Sequence, residues 1–495
     1  MSRSARWIAA AAAVVVLAGA GVFLLSRYGR AHAMSLLKEQ YGDRVEVANL
    51  DLRFFPSISA TAGPIVVRDS GTSNPLISIA KLSASAGWLS VFAGRISRVE
   101  LEGLKIDIPP RHEGFHSKNT SSRIHVAEVV ANGAVLRILP RDSDKPPLEF
   151  DIHRLTLHNA GAGGAMSFDA ALTNAKPPGE IHSTGTFGPW NGDDPAETPV
   201  AGQYTFRDAD LGVFKGIRGK LASDGKYEGV LDRIEAQGHT DVPDFALAVA
   251  GNAMHLSTDY QATIDGTNGN VYLHPVRAML ANTPIETSGV IERLPGTQGR
   301  LISLDGSVTN GRLQEILELA VKSKEPPMTG LVSFKSKIVI PPGDVDVIDK
   351  LQLDGAFVID RAHFSELSVQ EKVNDLSHRG RGEPEVPKTA SVASDFEGRF
   401  KLDRGVIMFS RLAFQVPGIH ISLDGTYGLR KEALDFHGTA SLQAKLSETT
   451  TGFKSVLLKA VDGFFKKKNA GAVVPIKITG TVDSPSFGLS LKPAG

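Results

Sequence analysis

A mainly β protein with a single membrane helix at its start is predicted by three features of the chain. They are an apolar run near the N-terminus, period-two alternation over most of the remaining chain, and a short Leu-Asp-Gly phrase that recurs between alternating strands. The apolar run comes first. No polar or charged side chain interrupts Ile8 to Leu25, and eighteen helical residues span about 27 Å, enough for a hydrocarbon core. Arg3 and Arg6 precede the run, Trp7 stands where an interfacial aromatic belongs, and Arg27 and Arg30 come after it. Ala31-His32-Ala33 would suit signal cleavage, yet it lies beyond two arginines and a tyrosine, so an uncleaved anchor is expected.

Beyond Tyr41 the period is two. Ile419, Ile421, Leu423, Gly425, Tyr427 and Leu429 alternate with His, Ser, Asp, Thr and Gly, and Ile476, Ile478, Gly480 and Val482 repeat the pattern. In Val99, Leu101, Gly103, Leu104, Ile106 and Ile108 the phase slips at Gly103, which predicts a β-bulge there. The recurring phrase stands at Leu304-Asp305-Gly306, Leu353-Asp354-Gly355 and Leu423-Asp424-Gly425, with variants at Leu101-Glu102-Gly103, Phe396-Glu397-Gly398 and Thr479-Gly480-Thr481. Its irregular spacing excludes a fixed-period solenoid and predicts many similar antiparallel strands side by side. Turns are expected at Asp265-Gly266 and Thr267-Asn268-Gly269.

Helical signals are few. A short helix is expected at 34–41. Leu313, Ile316, Leu317 and Ala320 predict an amphipathic one ended by Pro326-Pro327. A longer one is expected over about 446–468, with Phe453, Val456, Leu457, Ala460, Val461, Phe464 and Phe465 on one face. Lys454, Lys459, Lys466, Lys467 and Lys468 decorate the rest; they complement the helix C-terminus, or they meet anionic head groups at a membrane surface. Residues 370–390, with Arg379-Gly380-Arg381-Gly382 and two prolines, read as a solvated loop, as do 109–123 and 141–147.

Composition narrows the chemistry. Lys plus Arg equal Asp plus Glu at 54 each, which gives no basic field for nucleic acid. The chain has no cysteine, which excludes disulfides, thiolate nucleophiles and Cys-ligated metals. His112-Glu113-Gly114-Phe115-His116 fits the H-E-x-x-H zinc pattern, but Pro109-Pro110 before it and Gly114 within it oppose the helix that the pattern requires. A chance match in a loop accounts for it better. His153 and His158 read as solvent-facing strand residues. No nucleophile elbow or phosphate loop is present, so the expectation is a non-enzyme without catalytic residues, metal or cofactor.

Both ends and the strand phrases together resemble the AsmA-like family of envelope proteins, whose larger relatives include TamB. The likeness lies in the anchor, in Val99-Glu100-Leu101-Glu102-Gly103-Leu104-Lys105-Ile106, in Gly219-Lys220-Leu221 through Val242-Pro243-Asp244-Phe245, and in the closing Pro475 to Gly488 with its Gly-Thr strand and Pro-Ser-Phe turn. The resemblance implies a long, curved sheet with an apolar groove, and a part in outer-membrane biogenesis by guiding phospholipids across the periplasm. Its implied organisation is a cytoplasmic stretch 1–7, an inner-membrane anchor 8–25, a periplasmic β body 26–440 and an AsmA-like C-terminal region 441–495. On this reading Ile419, Ile421, Leu423, Tyr427 and Leu429 touch lipid. The alternative for the same residues is an ordinary sandwich core, in a non-enzymatic scaffold that assists outer-membrane protein assembly through its strand edges. The partners are then phospholipids, the inner membrane and envelope assembly proteins.

Overall fold

The computed structural model describes residues 45–489 apart from 54–56, 69–74, 88–89, 91–94, 109–124, 139–147, 162–163, 190–194, 249–250, 267, 295, 298, 323–324, 344, 382–390, 443–472 and 482–483. The expected anchor, the helix at 34–41, the His112–His116 stretch and the C-terminal basic helix with Lys454, Lys459, Lys466, Lys467 and Lys468 lie outside the described residues. Among the described residues no helix is long and apolar enough to cross a membrane. These residues are mainly strand, as the alternation predicts, and the chain divides into two compact units. The first holds Met1–Val213 with Lys220–Thr240 and Gln261–Val271; the second holds Phe214–Gly219, Asp241–Tyr260 and Tyr272–Gly495.

In the first unit two ladders leave one long strand, His125–Ile138. Its first half pairs in parallel with Arg95–Glu102, and antiparallel neighbours continue through Lys81–Ala86 and Ile58–Ala62 to Leu50–Arg53. Its second half pairs in parallel with Lys105–Ile108, and then come Pro75–Ile79, Ile65–Arg68 and Val45–Val47. Ile58, Leu82 and Val99 from the first ladder join Ile65, Ile77 and Ile79 from the second in one sealed apolar cluster. Splitting the sheet at one strand thus lets it close on itself, and both layers are buried.

Gly103 lies where the chain passes from one ladder to the other. The bulge predicted there does not form. The pairs Glu102↔Asn132 and Lys105↔Val135 are equally far apart on both strands, so neither carries an extra residue. Instead Gly103 at φ +63° faces Gly133 at φ +66°, and both strands kink together. The slip is present on each, with Leu101 and Leu104 buried on one and Ala131 and Ala134 on the other. A left-handed φ at both places is what glycine permits.

From His125–Ile138 the first unit continues as an antiparallel meander through Leu148–Gly161, Met166–Ala175, Pro178–Phe187 and Pro199–Asp210 to Lys220–Val230. The predicted Asp265 turn is present: the Gly269 N–H donates to the Asp265 carbonyl at 2.6 Å, and the Asn270 N–H to Asn268 Oδ1 at 2.8 Å.

The second unit carries a ten-strand antiparallel run in which each strand pairs with the next. The strands are Thr283–Glu292, Leu301–Arg312, Met328–Ile340, Gln352–Phe364, Ser394–Asp403, Val406–Val416, Ile419–Gly428, Ala433–Leu442, Val473–Thr481 and Pro485–Leu489. The expected helix forms as Leu313–Ala320 and stops at Val321, ahead of the two prolines. A second helix, Leu367–Gly380, occupies residues expected to be loop. Val369, Val373 and Leu376 recur at i, i+4 and i+7, and Val373 is buried with Gln370 and Ser377 on the inner side. Its polar inner residues explain why composition hid it: they bond the protein and not water.

Leu82 in the sealed cluster is fully buried, whereas Val358 in the second unit is 43% exposed. Leu82→Ala is expected to lower the stability of the full-length chain by about 2–5 kcal/mol in denaturant titration, and Val358→Ala by no more than about 0.5 kcal/mol.

Candidate functional site

Alternation puts every second side chain of a strand on one face, and register decides whether neighbouring strands agree. In the second unit they do. Reading across the ladders, one row runs Gly306, Ser336, Gly355, Phe400, Phe409, Gly425, Phe436, Ile478. The next runs Leu304, Ile338, Leu353, Leu402, Ile407, Tyr427, Leu434. A third, on the other side of the first, runs Val308, Phe334, Phe357, Gly398, Leu412, Leu423, Gly438, Ile476. Apart from Ser336 and the phenol of Tyr427, these rows hold only apolar side chains and glycine.

The acidic residues of the Leu-Asp-Gly phrases fall on the opposite face. There Asp354 meets Lys401 at 3.0 Å, and Glu397 pairs with Arg411. These pairs are exposed, so each contributes at most about 1 kcal/mol. They set the polarity of that face. His420, Asp424, Arg399 and Lys401 on it are all exposed.

The apolar face has its own internal packing. Phenyl rings succeed one another across the strands, Phe357–Phe400 at 6.2 Å, Phe400–Phe409 at 6.5 Å and Phe409–Phe436 at 5.7 Å between centroids. A shorter series runs Phe364–Phe396 at 6.3 Å and Phe396–Phe414 at 4.9 Å. Glycines make room for them. A Cβ on Gly398 would stand 2.6 Å from Cε1 of Phe357, and one on Gly425 would stand 2.9 Å from Cδ1 of Phe436. Gly398 and Gly425 are therefore floors under rings, whereas Gly306 and Gly355 lie against Ile338 and Ser336. Phe334, Phe357, Phe400, Ile407 and Phe409 nevertheless remain only half-buried.

Among the described residues helices cover this face at one end, although Leu402 and Phe436 farther from them are also buried. The two apolar clusters of this unit both sit where helices turn back on the strands. Leu313, Ile316 and Leu317 cover Val332 and Ile359, and Val373 and Leu376 cover Val416 and Ile419. Polar bonds fasten both helices. Gln370 accepts from the Phe364 N–H at 2.9 Å and donates to the Val392 carbonyl at 2.9 Å, while Ser377 donates to the Pro417 carbonyl at 2.7 Å. The Glu315 carboxylate, 7% exposed, accepts from Thr283 Oγ1 at 2.6 Å and from the backbone and side-chain amides of Asn282 at 3.0 and 2.9 Å. Burial pushes this carboxyl up, but the hydrogen bonds from Thr283 and Asn282 and the charge of Arg312 together outweigh it and hold it below its ordinary value.

The predicted lipid-facing residues share this face. Ile419 and Leu423 are buried and Ile421, Tyr427 and Leu429 are half-buried. Ile419 and Ile421 lie under the Leu367–Gly380 helix, and among the described residues no helix lies over the rows nearer Tyr427, where Ile407, Tyr427 and Leu434 are half-buried and Leu402 is buried. Burial, then the charge of Glu432, raises the Tyr427 phenol. What the alternation did not single out is the phenylalanine series, which is visible only once register is known. His153 and His158 are exposed strand residues, as expected.

The corresponding face of the first unit differs. Two tyrosine–serine pairs interrupt it, Tyr227–Ser183 at 2.8 Å and Tyr204–Ser223 at 2.9 Å, and burial raises the Tyr227 phenol against the opposing hydrogen bond to Ser183. The apolar rows of the second unit, broken only by Ser336 and the Tyr427 phenol, are thus the candidate site. Compared with family models, with curated proteins and with solved structures, the chain finds no match in any of the three.

Because the Glu315 carboxyl is depressed on folding, its contribution is complete above the unfolded value of about 4.3 and is lost as pH falls through the lower folded value. The protection of the 313–320 amides against hydrogen exchange, taken relative to the intrinsic rate at each pH, is expected to fall over that acid window in the native chain and to lack this step in Glu315→Gln. Gly398→Val is expected to displace the Phe357 ring and cost about 1–3 kcal/mol in denaturant titration, whereas Ala356→Val on the charged face changes stability by no more than about 0.5 kcal/mol.

Proposed function

We propose that this chain is an inner-membrane-anchored periplasmic protein of outer-membrane biogenesis, non-enzymatic, which shields or guides phospholipids along an apolar groove formed by a long, curved sheet. One observation carries the reading: most side chains of the in-register apolar rows of the second unit are only half-buried, though Val308, Leu402, Leu423 and Phe436 among them are buried. A folded chain gains by hiding such a surface, and alkyl chains are a suitable cover, worth about 0.8 kcal/mol for each buried CH₂. A lipid tail asks for continuity and not for a placed polar group, which agrees with rows made of Leu, Ile, Phe and Gly. The anchor predicted at 8–25 and the basic helix predicted at 446–468 would bring the body to membrane surfaces.

The second reading, a scaffold for outer-membrane protein assembly, draws on strand edges. Among the described residues Pro485–Leu489 has a ladder partner on one side only, Val473–Thr481, and such an edge can receive a strand from another chain.

A photocrosslinking amino acid in the full-length chain separates the two. Phe400 and Arg399 are adjacent in sequence and point to opposite faces. Benzoylphenylalanine at Phe400 is expected to capture phospholipid in isolated membranes, and at Arg399 to capture none. Protein adducts at the Pro485–Leu489 edge, with no lipid at Phe400, would replace the lipid reading with the scaffold.

A further inference from the structure

Residues 341–351 join Met328–Ile340 to Gln352–Phe364, two strands that pair directly. The next two connections at this end of the run take only Arg404-Gly405 and residues 429–432. Hairpin connections commonly run to about 2–5 residues, so 341–351 has chain to spare. The strap it forms is ordered by its own bonds. The Lys350 ammonium donates to the Gly343 carbonyl at 2.5 Å, the Asp349 N–H to the Asp346 carbonyl at 3.0 Å, and the Leu351 N–H to the Val347 carbonyl at 2.8 Å. It is not sunk in a core. Val345 is 60% exposed, Val347 and Ile348 are half-buried, and none of the three buried apolar clusters among the described residues contains them.

Two contacts seat the strap. Val347 packs on Gly216, where an added Cβ would stand 3.4 Å from the Val347 Cβ. The second contact is polar: Arg430 donates from Nε to Asp349 Oδ1 at 2.9 Å and from Nη2 to Asp349 Oδ2. This fork-on-carboxylate arrangement fixes direction as well as distance. The hydrogen bond from Arg430 holds the Asp349 carboxyl below its ordinary value, and the same bond, then the charge of Asp349, raises the guanidinium. Arg430 lies in the turn between Ile419–Gly428 and Ala433–Leu442. The pair therefore ties strands that are not neighbours, since Gln352–Phe364 and Ile419–Gly428 stand three ladder steps apart, about 14 Å. The strand ends it passes are those that carry Leu353, Leu402, Ile407 and Tyr427, the apolar row farthest from the two covering helices. Both side chains of the pair meet water, Arg430 being 63% and Asp349 32% exposed. Such pairs are weak and are screened by salt. A contact with defined geometry and little free energy is suited to opening and closing.

We propose that Arg430 and Asp349 form a latch that holds the 341–351 strap across this end of the apolar face, and that its release admits the alkyl chains of a phospholipid to the row of Leu353, Leu402, Ile407 and Tyr427. This deepens the lipid reading above and rests on it for the ligand. The helices at the other end are fastened by buried polar bonds and apolar packing, whereas the strap has one wet ion pair and one valine seat, so this is the end that opens.

The test is labelling by a neutral alkyl maleimide in the full-length, detergent-stripped chain, which has no cysteine of its own. Ile407→Cys reports on the row beside the strap, and Phe334→Cys on a position near the Leu313–Ala320 helix. Relative to 334, labelling at 407 is expected to quicken about two- to fivefold when Arg430→Gln is added, the factor that the free energy of an exposed pair allows. The melting temperature is expected to stay unchanged. Arg430→Asp/Asp349→Arg, which reverses the pair, is expected to bring the rate back toward the native one. Molar salt is expected to quicken labelling at 407 with Arg430 present and to have no effect in Arg430→Gln. Phosphatidylglycerol is expected to slow labelling at 407, and to do so sooner after mixing in Arg430→Gln. Equal rates at 407 with and without Arg430→Gln, with lipid still protective, would overturn the latch and leave the apolar-face reading standing. A faster rate in Arg430→Gln that the reversed pair fails to lower would overturn the ion pair as its cause. Labelling at 407 that phosphatidylglycerol slows in neither chain would overturn the proposal together with the reading beneath it.

Discussion

The second unit depends on register. A one-residue slip in any ladder would send that strand's Leu, Ile and Phe residues to the charged side and bring its Asp, Glu, Lys and Arg to the apolar one. The slip does not occur, because each ladder has two unlike faces to satisfy at once. Ion pairs such as Lys401–Asp354 hold one face, and interleaved rings and glycines hold the other. A phenyl ring over a glycine is a steric lock as well as a contact: Phe357 cannot sit over a residue that has a Cβ at 2.6 Å. Each tilted ring pair adds about 0.5–1.5 kcal/mol beyond its buried area. Among the described residues the face is thus continuous, with its own ring and glycine packing and helices over one end.

The two units solve the problem of an apolar sheet face differently. Near the N-terminus the sheet splits at His125–Ile138, folds its ladders together and seals Leu82 and Val99 away from water. In the second unit the ten strands from Thr283–Glu292 to Pro485–Leu489 succeed one another as a simple antiparallel run, and among the described residues none of them carries a second ladder back over the face. Two helices cover one end, fixed by buried polar bonds from Glu315, Gln370 and Ser377 as well as by apolar packing of Leu313, Ile316, Leu317, Val373 and Leu376. The remaining rows keep the exposure that the lipid proposal needs.

Much of this is legible in the sequence, and the limits of legibility are physical. The strand Ile419–Gly428 reads correctly because its alternation is unbroken. The Leu-Asp-Gly phrase reads correctly as a strand element, but Gly425 cannot be recognised as the floor under Phe436 until the neighbouring strand is in place. In Val406–Val416 the apolar side passes from Phe409 to Leu412 across a register shift, so the alternation is broken in sequence while the face is continuous in space. The slip at Gly103 is visible, yet its partner Gly133 is thirty positions away and turns an apparent bulge into a shared kink. The helix Leu367–Gly380 is obscured by its inward Gln370 and Ser377, because hydropathy cannot distinguish a polar side chain that meets water from one that meets a carbonyl.

The central claim is that the apolar rows are accessible to an alkyl ligand and are not a closed core. The chain has no cysteine, so an introduced thiol reports on one position only. The most direct measurement is the rate at which a neutral alkyl maleimide labels Phe400→Cys in the full-length, detergent-stripped protein, compared with Leu82→Cys in the sealed cluster. The account predicts rapid labelling at 400, slowed by added phospholipid, and strong protection at 82. Labelling at 400 as slow as at 82 in folded protein, unaffected by lipid, would show a closed core and contradict it.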